Sequence, residues 1–113
     1  MTARNQLTQA PPYAVEQAVK ILGQNLRTAR LRRELTIKEV AEKIGTGRKA
    51  VTDAEKGIPA TAVAVYTALL WAYDLLFPFE ELASPLKDEQ GLSLASRKAP
   101  QRARRSGGLD NDF

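Results

Sequence analysis

Residues Thr36–Gly57 read TIKEVAEKIGTGRKAVTDAEKG, and the fold follows from how this stretch is parsed. Thr36 followed by Glu39 has the T-x-x-E spacing of a capping box. The Thr36 hydroxyl accepts from the Glu39 amide, and the Glu39 carboxylate reaches back to the Thr36 amide. Ile37, Val40, Ala41 and Ile44 then fall on one helix face at i, i+3, i+4 and i+7. Gly45 supplies a left-handed residue to stop that helix. Thr46 and Gly47 are candidate caps for a second helix. That helix places Ala50, Val51 and Ala54 on one side and Arg48, Lys49, Thr52, Asp53 and Lys56 on the other, and Gly57 ends it.

A second helix this short, with small apolar residues inward and long polar ones outward, is suited to presenting side chains. That is the physical content of a helix-turn-helix, whose second helix enters the DNA major groove. The competing reading is a pair of surface helices with solvated charges. Charge distribution favours the first. The 113 residues carry 17 Lys/Arg and 13 Asp/Glu, a net charge of +4. Residues 1–57 hold 11 basic and 6 acidic side chains (+5), residues 58–83 only Asp74, Glu80 and Glu81 (−3), and residues 84–113 hold 6 basic and 4 acidic (+2). Positive charge thus concentrates around the paired helices, as a nucleic-acid footprint requires.

The chain contains no Cys and no His. Disulfides, thiolate metal sites and the commonest general base are excluded, and with no phosphate-cradling glycine loop or convincing acid pair an enzyme is disfavoured. No cofactor and no metal are expected. The length suits one domain. No basic-plus-apolar signal-peptide pattern is read in the first residues, and the most apolar run, Ile58–Tyr73, falls short of the roughly 20 residues that span a bilayer. A soluble, cytoplasmic protein with no membrane partner is expected.

Outward from the central stretch, Val15, Val19, Leu22, Leu26 and Ala29 sustain a helical period over Tyr13–Arg33, with Pro12 suited to its start. Gly23 lies inside, costs about 1 kcal/mol relative to Ala and offers a break point. Arg27, Arg30, Arg32 and Arg33 at the C-terminal half either answer the helix dipole or contact phosphate. Met1–Pro12 reads as a mobile arm whose Arg4 either touches DNA or, the preferred reading, has no role. Beyond Gly57, Thr61 caps a helix running to Tyr73 that is apolar almost all round, which calls for a second covering layer from a later helix or another subunit. Asp74–Phe77 connects to a fifth helix starting at Pro78 and stopped by Ser84-Pro85. Residues 85–113 read as a mostly disordered basic tail, with room for a short helix around Leu92–Ala95.

This pattern resembles the Xre family, the lambdoid phage-repressor type of helix-turn-helix, over roughly Leu22–Leu82. The residues that carry the resemblance are Leu26-Arg27-x-x-Arg30, Leu35-Thr36-x-x-Glu39-Val40-Ala41-x-x-Ile44-Gly45 and Val51-x-x-Ala54-Glu55-Lys56-Gly57. It implies an all-α, five-helix domain over residues 13–84, flanked by the arm 1–12 and the tail. It implies that Thr36 faces a backbone phosphate, that Arg48, Lys49, Thr52 and Asp53 face base edges or phosphates, and that Arg30 pairs with Glu55 to tie the first helix to the recognition helix. Arg48 and Lys49 lead as base readers. Thr36, Lys38, Thr46 and Lys56 position the DNA backbone, with Gly47 of the turn in the same DNA-facing set. Asp53 either accepts from a cytosine amino group or, the preferred reading, pairs with Lys49 at i+4. Ile37 stands where the family usually has Gln, removing one phosphate contact that Lys38 compensates. Ala54 stands where Leu is commoner.

A narrower resemblance is to HipB-like antitoxins, the DNA-binding partners of HipA-type kinase toxins. The apolar fourth helix, the Leu75-Leu76 and Phe79–Leu82 stretch, and the tail PLKDEQGLSLASRKAPQRARR carry it. It implies a homodimer that binds double-stranded operator DNA, neutralises a HipA-type kinase and represses its own operon. The alternative is a stand-alone repressor. The tail, ending in the acidic, aromatic segment Asp110–Phe113, then binds the kinase, anchors DNA nonspecifically, or does neither.

Overall fold

In a computed structural model, the backbone is described for residues 5–105 and side chains for residues 5–98. The expectations for Arg4 and Asp110–Phe113 lie outside these limits. The described residues are all helical or connecting: α1 (Gln6–Gln9), α2 (Tyr13–Arg32), α3 (Ile37–Ile44), α4 (Arg48–Lys56), α5 (Val63–Ala72), α6 (Leu76–Glu80) and α7 (Glu89–Arg105). They fall into two compact units, one ending at Phe79 and the next beginning at Glu80.

In the first unit α2 packs on α4, α3 on α4 and α5, and α4 on α5. The core is Leu26, Ala29, Val40, Ala41, Val51, Ala54, Tyr66, Leu69 and Tyr73. Val40 and Ala41 of α3 and Val51 and Ala54 of α4 are the inward residues of the two helix periods, at most 2% exposed. Ala54 is a core residue with no free surface, so its small side chain sets how closely α4 approaches its neighbours.

α2 runs unbroken through Gly23. A Cβ on Gly23 would stand 2.5 Å from the Ala54 carbonyl oxygen and 2.6 Å from that of Glu55. The glycine is therefore the point where α2 and α4 touch backbone to backbone, and it does not break the helix. Gly57 (φ +70°) closes the same crossing from the other side, since a Cβ there would stand 2.6 Å from Lys20 Cα.

Four helix ends are terminated alike. Glu34, Gly45, Gly57 and Asp74 all have positive φ. In each case the following amide, of Leu35, Thr46, Ile58 or Leu75, donates to the carbonyl five residues back. This is the Schellman arrangement, which satisfies carbonyls left over at a helix end. Glycine takes the left-handed position at two of these ends, and Asp74, whose short polar side chain tolerates it, and Glu34 take it at the other two.

Several boundaries differ from the sequence expectation. Within the expected arm, Asn5 caps the four-residue α1 by accepting from the Leu7 amide at 2.7 Å. Thr61 does not cap α5. The N-cap is Ala62, without a side-chain bond, and the Thr61 hydroxyl is buried unpartnered. α6 begins at Leu76, ahead of Pro78; in a helix this short the first four amides have no internal partner, so Pro78 forfeits no bond. In the expected tail, α7 spans 17 residues. Asp88 starts it, its carboxylate accepting from the Gly91 amide at 2.9 Å and its carbonyl from the Leu92 amide at 2.9 Å. The scarcity of large apolar residues there argues against core burial, but a capped run containing Leu, Ala, Gln and Arg has local helical propensity.

Candidate nucleic-acid interface

The paired helices α3 and α4 carry the site. Thr36 caps α3 with a reciprocal box: its hydroxyl accepts from the Glu39 amide at 3.0 Å, and its amide donates to Glu39 Oε1 at 2.8 Å. Lys38 is exposed on the first turn. Gly45 (φ +81°) then turns the chain, and the Thr46 amide is spent on the Ala41 carbonyl at 2.9 Å. Gly47 is the N-cap of α4 and offers no side-chain bond, so the first-turn amides of Arg48 and Lys49 lack a side-chain cap. Its φ of −84° is open to any residue, and a Cβ there would meet nothing.

α4 is about 14 Å long from its nine residues. Val51 and Ala54 anchor it inward, whereas Arg48 at its N-terminal end, Lys49 and Lys56 are exposed. Thr52 and Asp53 are half-buried at its flank, which shortens their reach. Lys49 Nζ lies 3.0 Å from Asp53 Oδ2, the i+4 pair. Arg48 has no such acid partner among the described ion pairs and carries its charge undivided.

The position of α4 is fixed from below. Arg30 Nε donates to Glu55 Oε2 at 2.7 Å and Nη2 to Glu55 Oε1 at 3.0 Å, a bidentate pair with both side chains under a tenth exposed. Arg30 Nη1 also donates to the Leu35 carbonyl at 2.9 Å. One guanidinium thus joins α2, α4 and the turn that leads into α3. Hydrogen bonding to Glu55 raises the Arg30 pKa above its ordinary value, overcoming the opposing effect of burial.

Other groups in this scaffold carried weak sequence signals. Arg33 was open to a dipole or a phosphate role. It donates to the Ala29 carbonyl at 2.9 Å and the Tyr73 carbonyl at 3.0 Å, with its guanidinium 5.4 Å from the Tyr73 ring centre. It therefore clamps the end of α2 to the end of α5. Tyr73 is 1% exposed and its hydroxyl has no partner. Burial, then the nearby Glu55 charge, pushes its pKa up to about 12, against Arg30 and Arg33. Lys43 lies 5.9 Å from the Trp71 ring centre. Only the clustering of basic residues before Arg33 and of aromatics around Tyr73 hinted at the Arg33–Tyr73 contact, because its partners are 40 residues apart.

An apolar helix pair braced by a buried ion pair, with a capped first helix and a cationic second helix, defines a helix-turn-helix unit. Residues 21–82 match the family described as helix-turn-helix domain, and the chain belongs to that family. The match supports an Xre-like, DNA-binding regulator. Neither a comparison with curated proteins nor one with solved structures returns a match. No helix among the described residues is long and apolar enough to cross a membrane.

Proposed function

We propose that the protein is a cytoplasmic transcriptional repressor that binds operator DNA as a homodimer. The observation that carries this reading is the division of α4: Val51, Ala54 and Glu55 are buried, while Arg48 at its N-terminal end and Lys49 and Lys56 further along remain exposed. In this reading α4 lies in the major groove and Arg48 bonds a guanine edge. Lys49, tied to Asp53, swings to a base or a phosphate. Thr36, Lys38, Thr46, Gly47 and Lys56 meet the backbone, with Thr52 and Asp53 at the edge of the contact. Two half-sites lie one helical turn apart, roughly 34–36 Å.

The test is Arg48→Ala in gel-shift titrations. A guanine-reading arginine contributes about 1–3 kcal/mol of discrimination, so operator affinity falls by roughly five- to 150-fold while random DNA is bound almost as before. Equal loss on both sequences would make Arg48 a phosphate clamp. No binding to any duplex by the unaltered protein would overturn the reading.

The tail sequence PLKDEQGLSLASRKAPQRARR favours a second, narrower reading, an antitoxin that neutralises a HipA-type kinase and represses the operon jointly with it. Co-purification with a co-encoded kinase, lost when residues 86–113 are deleted, supports this role for the tail. Retention of the kinase by the shortened chain removes it.

A further inference from the structure

We propose that α7 is a second nucleic-acid-contacting element, which grips phosphates without reading bases. The proposal rests on DNA binding by α3 and α4 and extends it to the second unit. Residues 97–105 contain Arg97, Lys98, Arg102, Arg104 and Arg105 and no acid. The one acidic residue of α7, Glu89, sits in its first turn. Arg97, Lys98, Arg102, Arg104 and Arg105 fall within nine residues, about two and a half turns of helix at 3.6 residues per turn. The described side chains of this helix from Leu92 to Lys98 are all exposed.

Such a helix is costly to hold in isolation. Lys98 and Arg102 are like charges at i+4, and Arg102 and Arg105 at i+3, each pair destabilising by about 0.2–0.5 kcal/mol. Pro100 removes an internal hydrogen bond. A polyanion relieves the charge repulsion, and a duplex held by α4 presents one at about millimolar effective concentration. The apolar complement selects among anionic surfaces. A membrane-surface helix buries Trp, Phe or Leu in a continuous stripe opposite its charges, whereas residues 95–105 offer only alanines and one proline, and the two exposed leucines of α7, Leu92 and Leu94, precede the basic run and, two residues apart, fall on different sides of the helix. Phosphate backbone suits this charge without an apolar anchor.

The experiment compares the full chain with a variant carrying Arg97→Gln, Lys98→Gln, Arg102→Gln, Arg104→Gln and Arg105→Gln. Affinity for a random duplex is measured across salt concentrations. Each phosphate contact contributes about 0.9 to the slope of log affinity against log salt, so the variant should lose roughly two to four units of slope and bind at least about tenfold more weakly near 0.1 M salt. The preference for operator over random DNA should be unchanged. An unchanged slope overturns the proposal and leaves DNA binding by α4 standing. Failure of the unaltered chain to bind any duplex overturns both. Capture by phosphatidylserine vesicles that the variant loses, with an unchanged DNA slope, overturns it in favour of a membrane surface.

Discussion

Two buried polar residues show how this small core treats charge. Arg30 and Glu55 are separated by 25 residues yet meet with two hydrogen bonds, and the third guanidinium nitrogen is satisfied by the Leu35 carbonyl. Removing one member of such a pair typically costs about 3–5 kcal/mol, because the other charge stays buried and unpaired. Tyr73 is the opposite case, a buried hydroxyl with nothing to bond. Its phenol loses its proton at about pH 10 when unfolded but resists to about 12 in the fold. Above pH 10 the unfolded chain therefore holds fewer protons than the folded one, and stability is lost as pH rises from 10 through 12. Tyr73→Phe should be at least as stable as the parent at pH 7. It should also show a smaller fall in urea midpoint between pH 8 and pH 11.5, with the remainder owed partly to Tyr66, whose pKa burial also raises. An equal fall in both proteins would deny Tyr73 this role.

Helix packing turns on two glycines whose importance is not visible in local propensity. In an isolated helix Gly23→Ala would gain about 1 kcal/mol. Here the new methyl meets two backbone carbonyls of α4, which cannot rotate aside as a side chain could. Overpacking of this kind costs about 1–3 kcal/mol, so thermal melting should show a net loss of stability. Because Glu55 is at the point of collision, operator affinity should fall as well. A melting temperature raised by the substitution would mean that the α2–α4 crossing is looser than described. The recognition helix is positioned by this crossing and by the Arg30–Glu55 pair together, so its register depends on residues that never approach DNA.

On the scale of the molecule, α5 has two apolar sides. Tyr66 and Leu69 face the core, and Val63, Thr67 and Trp71 run outward at i, i+4 and i+8, with Val63 64% and Trp71 55% exposed. The second covering layer anticipated for this helix is best supplied by the same stripe of another copy, as the homodimer proposal holds. Val63→Glu with Trp71→Glu should convert a dimer at micromolar concentration to a monomer in sedimentation equilibrium, without loss of helicity. Operator affinity should drop as the paired half-sites decouple. A parent protein that is already monomeric at that concentration would remove α5 as the interface.

The paired helices, their cap, their stop glycines and their inward residues could be read from Thr36–Gly57, because capping and helical periodicity are local and leave a direct trace in spacing. The ion pair of Arg30 with Glu55 was anticipated through resemblance to a family. α1 was missed, and α7 was anticipated only as a short helix around Leu92–Ala95, because Asn5 and Asp88 are caps without an apolar period behind them. Gly23 and Arg33 were legible only as residue types. What decides their roles is which backbone lies opposite: the Ala54 and Glu55 carbonyls for Gly23, and the Tyr73 carbonyl and ring for Arg33. The identity of α3 and α4 and the cationic character of α4 were thus settled by sequence alone. The closeness of α2 to α4 and the clamp between α2 and α5 were decided by tertiary structure, since a contact between distant segments depends on how helices cross and no local spacing encodes that.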